Sequence, residues 1–183
     1  DVVYSKLNKR ALDVLCRAEA LKSVIDERFT GSKHFWMACI QDKPKSIKRL
    51  LENIELYSPE GDFSKEEKID FASSLTGIFP FDLVMSKQVR DSIKKHKVPP
   101  IGKWDRKLGI AWFVPREVIA KKTKNGKLYW IVKVIDETST TTSIKCWGIQ
   151  HADMIHINHP YAARLDFSDE WGFSTRSIRR TFK

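Results

Sequence analysis

The chain has 183 residues, of which 42% are apolar and 31% charged, and its formal net charge is +10. That length can bury a sizeable core in one domain or in two small ones, and no apolar run approaches the roughly 18 residues of a membrane helix. The positive surplus points to a polyanionic partner, or to solubility alone.

Residues 7–21 carry Leu7, Ala11, Val14, Leu15, Ala18 and Leu21 at helical spacing. Asn8 is placed to cap this helix, which puts Lys9 and Arg10 in its first turn. Cations there oppose the helix dipole; they suit an approaching phosphate, or plain solvation. A second helix is expected from Ser32 to Cys39. A third is expected from Ser46 to Ile54, with Ile47, Leu50, Leu51 and Ile54 as its apolar stripe. Ser58-Pro59-Glu60-Gly61-Asp62 is a turn cluster. Ser64 and Glu67 form a capping box for a fourth helix that ends before Gly77. Pro80 keeps the apolar run 78–84 from being a plain helix interior. Residues 1–86 therefore read as a helical region.

Residues 1–86 hold 13 Lys/Arg against 14 Asp/Glu, and residues 87–183 hold 20 against 9. The whole excess lies in the second half. Residues 87–107 read as a basic hinge, a short helix with Val89 and Ile93 on one side, then Pro99-Pro100 as an extended link. Strand one should run from Leu108 to about Lys124, broken at Pro115. Asn125-Gly126 is a hairpin signal. In strand two, Leu128, Trp130, Val132 and Val134 point one way, and Tyr129, Ile131, Lys133 and Ile135 the other. Asp136–Thr140 is a turn, with Asp136 and Glu137 expected at the solvent. Strand three runs to Ile149, with Ser143, Lys145 and Trp147 opposite Ile144 and Cys146. Ile155 to Phe167 is expected to supply strand four, Trp171-Gly172-Phe173-Ser174 to break the pattern, and Arg176, Ile178, Arg179 and Arg180 to close the chain on a basic strand. The expected fold class is α+β, an N-terminal helical region followed by a five-stranded OB-fold β-barrel over 108–183. An SH3-like barrel is the structural alternative.

One face of this barrel mixes rings with lysines. Rings stack bases and lysines neutralise phosphates without reading sequence; each ring can equally be a core residue. The candidate nucleic-acid-binding residues are Lys9 and Arg10 on the first helix, and Lys122, Lys124 and Lys127 around the hairpin. Tyr129, Lys133, Lys145 and Trp147 follow on the mixed face, with Arg176 and Arg179 on the closing strand. His34, His96, His151, His156 and His159 form no HExxH pattern. His151, Asp153, His156 and His159 lie close in sequence, but nothing fixes them on one rigid face. Cys16, Cys39 and Cys146 form no CxxC pair and read as buried thiols of a reducing compartment. No catalytic residue, metal ligand or cofactor is expected in this chain.

Three segments, in this order, resemble the C-terminal part of the alpha subunits of the C-family, bacterial-type replicative DNA polymerases (DNA polymerase III). LNKRALDVLCRAEAL at 7–21 resembles the end of that family's helix-hairpin-helix region, with Ala18-Glu19-Ala20-Leu21 where the family has a Gly-Ala-Phe segment. Glu66-Glu67-Lys68, followed by Leu75-Thr76-Gly77-Ile78, resembles the segment before the family's barrel, with Phe79-Pro80-Phe81 near its Gly-His-Pro. KNGKLYWIVKVIDETSTTTSIKCWGI resembles the OB barrel itself. The resemblance implies a non-catalytic DNA-binding tail of a nucleotidyltransferase, downstream of a palm whose catalytic aspartates have no counterpart here. The barrel would hold single-stranded DNA template by stacking and phosphate contacts, and Lys9 and Arg10 would approach duplex DNA. A sliding clamp or other replisome proteins would be partners, Mg2+ would belong to the parent polymerase, and the setting would be the cytoplasm of a bacterial or phage-infected cell. Asp1 in place of an initiating Met fits a piece of a longer chain. Two alternatives stand beside this: an OB-fold RNA-binding module of the tRNA anticodon-binding type, and a structural protein-interaction module of a replication complex.

Overall fold

Polar residues just before the apolar runs start the main helices. In the computed structural model, which describes residues 8–149 and 154–178, Asn8 accepts the Ala11 N–H at 2.8 Å and opens α1 (Lys9–Arg17). The helix expected to reach Leu21 stops at Arg17, because Glu19 takes the left-handed conformation at φ 58°. α2 (Ser32–Phe35) continues as wider π-helical turns over Trp36–Gln41. Ser46 caps α3 (Ile47–Tyr57). Ser64 and Glu67 form a reciprocal capping box on α4 (Lys65–Thr76), and Gly77 ends it in the left-handed conformation. Each such cap contributes about 1 kcal/mol.

The chain divides into two compact units, Asp1–Pro80 and Phe81–Lys183. In the first, Leu12, Cys16, Ala38, Cys39, Ile40 and Phe63 form the core. Only part of the apolar stripe expected on α3 packs: Leu50 lies against this core and Ile54 is half-buried, but Ile47 and Leu51 are exposed, and the fully buried residue is Asn53. The π-turn explains this. Its wider winding frees carbonyls, and the Asn53 amide donates to Ala38 O at 3.0 Å and to Asp42 O at 2.7 Å. His34 is also fully buried. The Thr30 N–H donates to its Nδ1 at 3.0 Å and its Nε2 faces Ile54 O at 2.8 Å, which assigns the proton to Nε2. His34 is thus a structural brace between α2 and α3. Burial, then the Asp13 carboxylate, pushes the Cys16 thiol up to about 12, so it is no nucleophile at neutral pH.

Gly31 sits where two backbones touch. A Cβ there would lie 2.5 Å from both C and O of Gly61. The contact lets the Ser32 N–H donate to Asp62 at 2.9 Å and the His34 N–H to Gly61 O at 2.9 Å. Gly31→Ala is therefore expected to destabilise this unit by about 2–3 kcal/mol through overpacking, read as a lower urea midpoint at unchanged slope. Acid should act on the same joint. The Ser32 N–H, against burial and with help from Lys22, holds the Asp62 carboxyl below its usual range. At Glu67, burial works upward, but the Ser64 N–H and Lys33 outweigh it. Both folded pKa values are depressed, so the unfolded chain binds protons more readily. Their stabilisation is present at neutral pH and is expected to fade below about pH 4, with Asp62→Asn flattening the loss in a pH series of urea midpoints.

The second unit opens with α5 (Phe81–Val84) and α6 (Lys87–Lys95), the latter capped by Ser86. A 3-10 turn over Ile101–Lys103 leads into β1 (Ile110–Lys122). β2 (Leu128–Ile135), β3 (Thr141–Cys146), β4 (Tyr161–Arg164), β5 (Asp166–Ser168) and β6 (Gly172–Thr175) follow. The sheet order is β4-β1-β2-β3-β6-β5, antiparallel except for the β3–β6 pair.

β1 serves two partners because it is bulged. Its register on β2 shifts between Pro115 and Glu117, so Arg116 is the extra residue. Proline has no N–H to give a ladder, which is tolerated at a bulge. Ile110–Phe113 pair with β4, and β2 is paired from Val114, on both sides of the bulge, to Lys122. The bulge also reverses the alternation, so Phe113 before it and Val118 after it both face the core of Val132, Val134, Ile144, Cys146 and Tyr161. Burial pushes the Cys146 thiol up to about 12.

The five-stranded OB barrel expected from the sequence is not what forms. Among the described residues the sheet has six strands and is an open, curled half-barrel. The segment expected to be strand four turns at Leu165 into two short strands. Leu165 belongs to neither strand; its N–H donates to Gly109 O at 2.8 Å, the next position in the β4–β1 register, and the chain then turns to pair with β6. β4 and β5 end the sheet on opposite sides, with no ladder between them. Gly172–Ser174, expected to break the pattern, belong to β6, which Gly172 starts from φ 70°. β6 ends at Thr175, so Arg176 and Ile178 form no closing strand; Arg179 and Arg180 lie outside the described residues. β3 ends at Cys146 rather than Ile149. Asp136, expected at the solvent, is fully buried.

Among the described residues, no helix is long and apolar enough to cross a membrane.

Candidate nucleic-acid interface

The register of the β2–β3 hairpin decides which aromatic residues face outward. Trp130 pairs with Cys146 and Val132 with Ile144, all against the core, and the Trp130 indole N–H donates to Ile149 O at 2.9 Å. The alternate residues, Tyr129, Ile131 and Lys133 on β2 with Ser143 and Lys145 on β3, therefore share the outer face. Trp147 joins them just past β3: its ring stacks on Tyr129 with centroids 4.6 Å apart and planes inclined by 23°.

The β1–β2 turn and the β5–β6 turn rise on either side of this face. Between them lies a cleft of about 860 Å³. Lys122, Lys124 and Lys145 line it, with Tyr129, Trp147 and Trp171 as its rings and Ser168 and Ser174 as hydroxyl donors; no acidic side chain lines it. Trp171 is 62% exposed, and the Lys145 ammonium lies 4.5 Å from the centroid of its ring. The Lys127 ammonium stands 6.0 Å from that of Trp147, and the two residues border a smaller hollow with Arg176.

The cleft lysines differ from the paired cations of the helical unit. In the helical unit, Lys22 meets Asp62 at 3.2 Å, Lys33 meets Glu60 and Glu67 at 3.0 and 3.1 Å, Arg49 meets Asp42 at 2.9 Å, and Lys68 meets Glu19 at 2.9 Å. Around the cleft, Lys122, Lys124, Lys127 and Lys145 have no carboxylate partner among the described residues. Unneutralised lysines beside flat rings, with no acid among them, favour an anionic ligand that also carries apolar surface.

Of the residues singled out in the sequence, Lys122, Lys124, Tyr129, Lys145 and Trp147 meet in one cleft, and Lys127 and Arg176 border the smaller hollow on the other side of Trp147. Lys133 is not available in the same way. It lies on the outer face, but its ammonium is 2.7 Å from the Glu117 carboxylate across the β1–β2 ladder. Lys9 and Arg10 are exposed in the first turn of α1, in the other unit. Arg179 lies outside the described residues. Trp171 was missed, because a Trp-Gly pair reads as a break; the only signal was a large ring beside a turn glycine. No three metal-binding side chains come together among the described residues. The His156 and His159 rings meet edge to face with centroids 5.8 Å apart, and His151 and Asp153 lie outside those residues.

The mechanism expected from the barrel does not survive this geometry. Tyr129 and Trp147 are stacked on one another rather than spread as separate platforms, and the sheet that carries them is open. Neither a family model nor a curated protein matches the chain. The resemblance to the C-family replicative polymerases gains no support there, and neither the OB-fold label nor the role of a polymerase's template-holding barrel is retained.

Proposed function

We propose that the sheet unit is a nucleic-acid-binding module that takes a strand by its phosphates, in the cleft on the open face. The single observation that carries this reading is the group of carboxylate-free lysines at 122, 124 and 145, set beside Trp147 and Trp171 in one cleft. Lysines attract any polyanion. Exposed rings beside them favour one with flat, apolar groups between its charges, and a nucleic-acid strand has both. Lysines and rings, which contact phosphates and base faces, dominate the cleft lining, so binding is expected to tolerate sequence. The setting that suits the chain is a reducing, cytoplasmic one, supported by three free and buried cysteines.

Fluorescence anisotropy of the full chain tests the reading. Labelled single-stranded DNA and RNA of equal sequence should both bind, with affinity falling steeply as salt rises. Polyphosphate of matched charge should compete poorly, because it offers the rings nothing. Equal competition by polyphosphate would reduce the cleft to a plain cation patch, and the absence of salt-dependent binding would remove the reading.

A further inference from the structure

The cleft is not the only basic hollow of the sheet unit. A second, of about 420 Å³, lies where β4 turns into β5. Arg106, Lys107 and Arg164 stand around it, with the ring of Trp104 on its wall and Asp166 as its one carboxylate. Arg106 spends one N–H on Phe167 O at 3.3 Å; Lys107 and Arg164 have no carboxylate partner among the described residues.

Hydrogen bonds at the strand ends tie this hollow to the first cleft. The Trp147 N–H donates to Thr175 O at 2.9 Å. The Thr175 hydroxyl donates to Arg164 O at 2.8 Å. Trp147 and Thr175 are thus joined backbone to backbone, and the buried Thr175 side chain reaches the Arg164 backbone on β4, a strand that shares no ladder with β6. Arg176 follows Thr175 and borders the small hollow it shares with Lys127 and Trp147. Cations stand at both ends of this hydrogen-bonded path, Lys127 and Arg176 at the small hollow and Arg164, Arg106 and Lys107 at the second.

We infer that this path is a phosphate track, and that the hollow of Arg106, Lys107 and Arg164 is a second phosphate site for the strand whose first contacts lie in the cleft. The inference rests on the nucleic-acid reading and adds a consequence to it. A ligand short enough to fill only the cleft gains nothing from the second site, whereas a longer strand does.

Affinities of the full chain for a dinucleotide and for an oligomer of about ten nucleotides test this. Arg106→Gln/Arg164→Gln is expected to weaken the oligomer about tenfold and to reduce the log–log salt slope by about 1. Its affinity for the dinucleotide should stay at the wild-type value. Lys94→Gln/Lys95→Gln removes the same charge from the exposed end of α6 and is expected to change oligomer affinity less than about twofold. If the wild-type chain binds no oligonucleotide, the nucleic-acid reading fails and the track with it. If it binds and the two double variants behave alike, or the arginine variant matches wild type on both ligands, the track alone is overturned.

Discussion

Asp136→Ala is expected to destabilise the sheet unit by about 3–5 kcal/mol, the cost of stripping a buried acceptor from several donors. The Asp136 side chain is completely buried. One oxygen receives the Thr138 N–H at 2.9 Å, the Thr138 hydroxyl at 2.6 Å and the Thr140 N–H at 3.3 Å. The other receives the N–H of Gly102, from 34 residues away. One carboxylate therefore shapes the β2–β3 turn and pins the 3-10 turn before β1 to it. The joint is tight on both sides: a Cβ on Gly102 would come within 2.4–2.9 Å of the Thr138 and Thr140 side chains. Every partner of Asp136 is a donor, so an amide is no substitute. Asp136→Asn turns one acceptor into an NH2 group that must face a donor, and it too is expected to lose about 2 kcal/mol or more. Urea denaturation of the full chain reads both variants. An Asp136→Asn chain with wild-type stability would contradict this account of the turn.

The second large effect concerns binding. Lys122→Gln/Lys124→Gln/Lys145→Gln should leave the fold intact, since none of the three is buried or ion-paired among the described residues. Each lysine that neutralises a phosphate contributes about 0.7 to the salt slope on a single strand. Removing three should flatten the slope by about 2 and weaken binding about a hundredfold at moderate salt. Lys133→Gln is the informative contrast. Its ammonium already faces Glu117 at 2.7 Å, so its loss is expected to change the slope little. An exposed pair of this kind is worth at most about 1 kcal/mol, so stability should hardly move either. If Lys133→Gln costs as much as the triple variant, the ligand runs along the β1–β2 face rather than in the cleft.

These two cases also mark what could be read from the sequence. The helix caps at Asn8 and Ser64 and the Asn125-Gly126 hairpin were legible because capping and tight turns depend on a few neighbouring residues. So was the alternation that sends Tyr129 and Lys145 to one face. Asp136 was not, because an acid in a turn is ordinarily solvated, and the donor that makes it different, Gly102, comes from a distant segment. The Lys133–Glu117 pair was hidden for a related reason. Pro115 hinted at a break, but only the extra residue at Arg116 brings Glu117 opposite Lys133. The strand count failed at Leu165, where the chain passes from pairing with β1 to pairing with β6; the apolar pattern 155–167 carries no sign of that. Trp171 was read as the end of a pattern, although it stands beside the glycine from which β6 starts.

The central claim is that the cleft between the β1–β2 and β5–β6 turns is where a nucleic-acid strand binds. Indole N–H resonances of the full chain, titrated with an oligonucleotide of about ten residues, test it most directly, since the rings in question are few and separately assignable. The account predicts that Trp147 and Trp171 shift and saturate together with the anisotropy, while Trp36 in the helical unit does not move. Saturating binding that leaves Trp147 and Trp171 unperturbed, or that shifts Trp36 instead, would contradict it.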